Sequence, residues 1–136
     1  MIIGIGLDVL QVSRLRRAIE RHPRLLRRVF TERERATCAR KADPAVSLAA
    51  RFCAKEAAMK ALGTGWGGGV GWRDLEVAGG AGRPPRLELH GLAARRFAVM
   101  GGRVALVSLT HERDLAAAVV IFEGEPPQEE VTQGGR

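Results

Sequence analysis

Tyrosine is absent from this chain of 136 residues, aromatic side chains make up only 4% of it, and cysteine occurs twice. Proteins that hold single-stranded nucleic acid stack bases on aromatic rings, so this scarcity argues against that class. Cys38 and Cys53 form no Cys-x-x-Cys pair and have no histidine pair nearby. That pattern excludes a disulfide framework and a zinc site, and it leaves two reduced, structural thiols. Long apolar runs are also missing. The longest, near Leu115 to Phe122, falls far short of the roughly 20 residues that span a bilayer. The opening segment Met1 to Asp8 has no basic lead-in and carries a carboxylate, unlike a secretory signal. The expectation is one soluble cytoplasmic domain, with a core large enough to need no metal or crosslink.

Positive charge is abundant, with 22 Lys and Arg against 15 Asp and Glu. It is concentrated: Arg14 to Lys41 holds eleven basic residues against Glu20, Glu32 and Glu34. A local basic arm suits an acidic partner, whether nucleic acid, anionic lipid, phosphorylated ligand or acidic protein.

Ile2 to Leu7 alternates apolar residues with glycine and reads as a short buried strand that delivers Asp8 to a strand-to-helix junction. Ser13 to Val29 has helical spacing broken at His22-Pro23, which predicts two short helices coated with arginine. Thr31 and Glu34 form a capping-box signature for a helix from Glu32 to about Lys41. Asp43 and Pro44 start the clearest helix, which runs to Leu62 and stops at Gly63. A glycine-dense loop follows over 63–71. Trp72 to Val77 and Arg86 to Leu89 read as strands around a turn at 79–85, and Gly91 to Met100 as a helix. Val104 to Thr110 and Leu115 to Phe122 read as a hairpin joined through residues 111–114. The order indicates an α+β fold. The polar, Pro- and Gly-containing tail is expected to be disordered.

Two carboxylates stand in apolar settings, Asp8 after its strand and Glu56 in the alanine-rich helix. Glu56 and Lys60 share a face and are able to form an intrahelical pair. Yet Ala49, Cys53, Glu56 and Lys60 follow one stripe, and Arg51 and Lys55 add charge to a helix otherwise made for burial. Such a helix implies a polar site beside it. Two hard oxygen ligands from different elements, with water and phosphate completing the shell, is how proteins hold Mg²⁺, and Asp8 with Glu56 fits if the fold unites them. Lys60 then faces the same phosphates. The loop opened by Gly63 and Gly65 leaves room for a phosphate but lacks the ending of a P-loop. His111, at a strand end, is either a base, a phosphate contact or a surface turn histidine.

GIGLDVLQVSR (4–14), RFCAKEAAMKALGTG (51–65), GRPPRLELHG (82–91) and VSLTHERDLAAAVV (107–120) together resemble the holo-acyl-carrier-protein synthases, small bacterial 4'-phosphopantetheinyl transferases. The resemblance implies an antiparallel sheet packed against a long central helix, with an Arg-rich helical segment near the N-terminus. The transferase domain would be residues 1–123, followed by a tail over 124–136. It implies transfer of phosphopantetheine from coenzyme A to a serine of apo acyl carrier protein, releasing adenosine 3',5'-bisphosphate, with Mg²⁺, in a homotrimer whose sites lie between subunits. By resemblance Asp8 and Glu56 are metal ligands and, with Lys60, catalytic. Arg51, Lys60, Gly63, Gly65, Pro84 and His111 bind coenzyme A, and His111 reaches a neighbouring subunit's site. Arg14, with Arg21, Arg24 and Arg28, docks the acidic carrier. Thr110 stands where many members have serine.

Two rivals remain at this stage. One is a basic module that binds RNA or DNA through the arginine segment. The other keeps the metal site for a pyrophosphatase or nuclease.

Overall fold

In the computed structural model of the chain, which describes residues 1–65, 68–80 and 82–129, the elements follow in a fixed order. They are β1 (Ile2–Gln11), α1 (Val12–Arg21), α2 (Leu25–Val29), α3 (Glu32–Ala39), α4 (Pro44–Leu62), β2 (Leu75–Gly80), β3 (Arg83–Leu89), α5 (Gly91–Val99), β4 (Gly102–Glu112) and β5 (Leu115–Gly124). The expected α+β architecture is present: β1, β5 and β4 form an antiparallel sheet in that order, and α4 packs across its inner face. β2 and β3 make a separate antiparallel hairpin.

The helix boundaries follow from their caps. The Thr31 hydroxyl accepts the Glu34 amide at 3.2 Å while the Glu34 carboxylate accepts the Thr31 amide at 3.0 Å, the reciprocal box that opens α3. Asp43 accepts the Ala45 amide at 3.2 Å ahead of Pro44, and Gly63, at φ 73°, closes α4 in the left-handed region. Strand limits moved further from expectation. β1 continues through Asp8 to Gln11 because Val9, Leu10 and Gln11 pair with Ala117, Ala116 and Leu115 of β5. Asp8 is therefore inside a strand and not at a junction. His111 likewise belongs to β4, opposite Ala116. β3 begins at Arg83 and includes Pro84 and Pro85, which a hairpin strand tolerates on its unpaired side.

Gly4 and Gly6 are the reason β1 can lie on α4. A Cβ at Gly4 would sit 2.6 Å from the Ala61 carbonyl oxygen, and one at Gly6 would collide with the Ala57 carbonyl. The helix contributes matching small residues, with Ala54, Ala57, Ala58 and Ala61 all buried. The apolar residues between the glycines therefore point away from the core. Ile5, Leu7 and Val9 are 63%, 61% and 57% exposed, so the strand is buried on one face only within a single chain. Val104 and Leu106 of β4 join them on that outer face.

Lys55 does not border a polar site, contrary to the sequence expectation. It is fully buried and pairs with Glu34 at 2.7 Å. Its ammonium also donates to the Trp72 carbonyl at 3.0 Å and to the Leu75 carbonyl, while Glu34 accepts the Val77 amide at 3.1 Å. One buried ion pair thus ties α3, α4 and β2 together. Burial lowers the Lys55 pKa, and the Glu34 carboxylate opposes that shift.

The two cysteines are buried and free. No helix among the described residues is long and apolar enough to cross a membrane. Part of the expected tail, residues 130–136, lies outside the described residues, as do Trp66 and Gly67 of the glycine loop and Ala81 of the predicted turn.

Removing one partner of a buried pair strands the other charge, so Lys55→Met should cost about 3–5 kcal/mol in urea unfolding. The double change Glu34→Gln with Lys55→Met should cost less than the single change.

Candidate active site

Alternation along β1 sends Gly4, Gly6 and Asp8 to one face, and the close approach to α4 places Asp8 against the turn of helix that carries Glu56 and Lys60. Lys60 turns away from an intrahelical pair. Its ammonium donates to the Leu7 carbonyl at 2.8 Å and to Asp8 Oδ1 at 3.3 Å. Asp8 is largely buried and Lys60 about half exposed. The Glu56 carboxyl is close enough to hydrogen-bond with Asp8, and burial, then the Asp8 charge, raise its pKa to about 7, with Lys60 pulling the other way. Two facing carboxyl groups and one ammonium leave a cluster short of positive charge. The all-oxygen donor set with an exposed side fits a hard divalent cation such as Mg²⁺.

Cys53, one turn before Glu56, offers no alternative nucleophile. Its thiol donates to the Ala116 carbonyl at 3.5 Å, and burial together with the Asp8 charge pushes its pKa up to about 12. It fills space beside the carboxylates, as expected for a structural thiol.

A groove opens above Glu56. Its volume is roughly 580 Å³, with Val9, Leu25, Val29, Phe52 and Trp72 as apolar walls and Arg14 and Arg28 among its lining. Phe52 and Trp72 stack at 5.1 Å between ring centroids. Neither aromatic stood out in the sequence, since a phenylalanine on an alanine-rich helix reads as core. Arg14, Arg17 and Arg21 share the adjoining surface, so Arg17 joins the predicted arginines, while Arg16 is drawn off to Asp43 at 2.9 Å. Arg24 is exposed at the start of α2.

The remaining candidates gather elsewhere. Arg51 and His111 line a second cavity of roughly 500 Å³ with Lys41, Asp43, Ser47, Pro85 and Thr110. Arg51 is 5% exposed. It bonds Ser47 Oγ at 2.8 Å and the Gly79 carbonyl at 3.3 Å, yet its Nε has no partner. A buried guanidinium with an unused donor at a cavity wall is suited to an anion. Pro84 is exposed beside Pro85. Gly63 borders a third hollow, with Thr64, Arg95 and Arg96, and Arg96 covers the end of α4 by donating to the Leu62 carbonyl at 3.1 Å. Gly65, at φ 54°, continues the left-handed path of this loop. Five residues of helix put Arg51 and Glu56 about 140° apart around α4. One chain therefore does not bring the Arg51–His111 cavity onto the Asp8–Glu56 pair.

A further constellation escaped the sequence reading. Glu76, Glu88 and His90 each place a ligand atom within 4.8 Å of the others. Arg33 bridges both carboxylates, at 2.7 Å to Glu76, and Arg86 lies 3.7 Å from Glu88, so two guanidinium groups already meet the charge of the pair from within the chain.

Residues 4–120 match the sequence model of the 4'-phosphopantetheinyl transferase superfamily. The chain belongs to the holo-acyl-carrier-protein synthase family. Over 124 residues it is 47% identical to the holo-[acyl-carrier-protein] synthase of Moorella thermoacetica, covering 91% of this chain and 96% of that one. Its fold matches the crystal structure of the synthase from Neisseria meningitidis with a TM-score of 0.81 at 30% identity, over 90% of this chain and 99% of the other. The Helicobacter pylori synthase, solved in complex with coenzyme A, matches with a TM-score of 0.76 at 26% identity, over 88% and 99% of the two chains. The protein is thus an enzyme of the phosphopantetheinyl transferase superfamily, and the basic-module and hydrolase rivals lose their ground.

Replacing Asp8 by Asn removes the second cause of the high Glu56 pKa. In metal-free protein the Glu56 carboxyl should then titrate below about 7 but still above an ordinary glutamate, because burial remains the larger cause. Carbon-detected NMR titration reads this directly, and an unmoved Glu56 would disprove the coupling.

Proposed function

We propose that the protein transfers the 4'-phosphopantetheine group of coenzyme A to a serine hydroxyl of an apo acyl carrier protein, releasing adenosine 3',5'-bisphosphate, and does so in the cytoplasm. The observation that carries this reading is the meeting of Asp8 and Lys60 with Glu56, which itself lines a groove together with Arg14 and Arg28. Relatives named for this reaction, and the family's structure with coenzyme A, support it.

The serine oxygen forms a bond to the β-phosphorus of coenzyme A, and the bond from that phosphorus to the bridging oxygen breaks. Charge moves onto the bridging oxygen, which leaves with the adenosine bisphosphate. Lys60, half exposed on the Asp8 side, neutralises the pyrophosphate and gives the leaving oxygen a proton. Glu56 accepts the serine proton. It is the base at the groove floor, where Cys53 is held as a thiol and His111 lies in the other cavity. Asp8 and Glu56 would hold Mg²⁺, which when bound would supply further positive charge to the phosphate oxygens. Gly63 and Gly65 flank Thr64 and keep the loop at the end of α4 sparse in side chains.

Arg51, Pro84 and His111 receive the adenosine bisphosphate portion, with the Arg51 guanidinium as the cation in the cavity wall that attracts a phosphate. They serve a neighbouring subunit's carboxylates in a homotrimer. Two features favour that assembly: the cavity and the carboxylate pair lie on different sides of α4, and the outer sheet face exposes Ile5, Leu7, Val9, Val104 and Leu106. Single scattered apolar residues need no explanation, whereas a contiguous strand face marks an interface. Arg14, Arg21, Arg24 and Arg28 dock the acidic carrier protein, where planar guanidinium groups match carboxylates.

The decisive measurement is the intact mass of an apo acyl carrier protein after incubation with this protein, coenzyme A and Mg²⁺. The expected result is a gain of one phosphopantetheine group, lost with a chelator and lost in Asp8→Ala and Glu56→Ala, which should keep wild-type circular dichroism. Normal turnover in either variant would remove these residues from the mechanism. In a separate test Arg14→Glu should raise the KM for carrier protein at least about tenfold, as expected when an interfacial charge is reversed, with less effect on coenzyme A. Equal effects on both substrates would assign Arg14 to structure.

A further inference from the structure

Helix α1 carries Arg14, Arg17 and Arg21, yet it starts without a cap of its own. Gln11 makes no side-chain bond to it and its first turn has no acidic residue. Both omissions are unfavourable, because the first amides of a helix lack partners and its N-terminal end is electropositive. The missing acceptors come from elsewhere. Asp114, in the turn between β4 and β5, accepts the Val12 amide with its backbone carbonyl at 2.8 Å. Its carboxylate takes the Ser13 amide at 2.9 Å and the Ser13 hydroxyl at 2.6 Å. The turn that presents Asp114 is a tight one. Arg113 sits at φ 54°, the single non-glycine residue in the left-handed region among those described, where two-residue hairpin turns favour glycine.

We infer that Asp114 is a positioning residue for carrier recognition: it caps α1 from outside and so fixes the direction in which the Arg14 face is presented. Arg16 fastens the same helix one turn later through a two-pronged bond to Asp43, at 2.9 and 3.2 Å. α1 is therefore anchored at Asp114, three residues after His111, and at Asp43, which lines the His111 cavity. Of the two anchors only Asp43 lines that cavity, and Asp114 holds the start of the helix. Asp114 itself touches neither substrate. Its contribution is to keep a helix of four arginines from swinging or fraying at the end where Arg14 lies. This rests on the reading of α1 as the docking face.

The test is a double-mutant cycle on Ser13 and Asp114 in the full chain. Asp114→Ala should raise the KM for carrier protein about fivefold, the size expected for loss of a helix cap, with kcat and the KM for coenzyme A within about twofold of wild type. Asp114→Asn, which keeps one acceptor, should recover part of the loss. Ser13→Ala added to Asp114→Ala should cause no further rise, since both remove the same bond. Hydrogen exchange of the α1 amides should quicken in Asp114→Ala. Additive effects, unchanged exchange, or equal rises in both KM values would overturn the inference. Arg14→Glu separates the two levels: if it raises the carrier KM and Asp114→Ala does not, the capping role alone fails. If neither does, the docking face itself is wrong and the inference falls with it.

Discussion

The separation of β1 from α4 is set by side chains that neither element has. Gly4 and Gly6 face Ala61 and Ala57, and any larger residue on the strand would drive into helix carbonyls. Interiors are packed too tightly to absorb even a methylene without strain. At this spacing the next residue on the same strand face, Asp8, meets the helix turn that bears Glu56 and Lys60. A wider gap would leave the two carboxylates apart and take the Asp8 charge away from Glu56. The meeting of Asp8 with Glu56 and Lys60 is a consequence of that glycine–alanine contact.

The other face of α4 needs a different explanation. Here Lys55 and Glu34 are buried together, and their remaining hydrogen-bonding capacity is spent on the backbone of residues 72–77. Buried ion pairs are weak sources of net stability but strict about geometry. In this protein the geometry matters because Trp72, whose carbonyl Lys55 holds, forms one wall of the groove over Glu56. α4 is thus a three-sided element: close-packed against the sheet, pinned by a charge pair to α3 and β2, and open between them to the groove over Glu56.

A single chain presents half-finished surfaces. Its sheet exposes Ile5, Leu7 and Val9 on one face, while its nucleotide-type cavity lies around the helix from its carboxylates. Both features become economical if copies of the chain supply each other's missing half, which is the arrangement proposed above. In the same spirit α1 borrows its cap from the β4–β5 turn. The first helix of the basic arm is therefore capped by a residue about a hundred positions further along the chain.

Local rules made much of this legible. The capping box at Thr31, the Asp43-Pro44 start, the Gly63 stop and the short motifs around Asp8 and Glu56 depend on neighbours within a few residues, so the helices, the α+β class and the family could be read before any fold was known, and Asp8, Glu56 and Lys60 could be singled out as candidates. Strand ends were less legible, since Val9 to Gln11 are ordered by pairing with β5 from the far end of the chain. The burial of Lys55, the diversion of Lys60 from Glu56 to Asp8, the stacking of Phe52 on Trp72 and the capping by Asp114 were invisible. A lysine on an alanine-rich helix carries the same local signal whether it faces a phosphate or a buried glutamate. What the amino-acid order determined by itself was which groups are present and how each segment folds locally. Which of those groups meet, and therefore what their protons and charges can do, was decided by contacts between residues more than forty positions apart in the chain, such as Asp8 with Lys60 and Arg33 with Glu76.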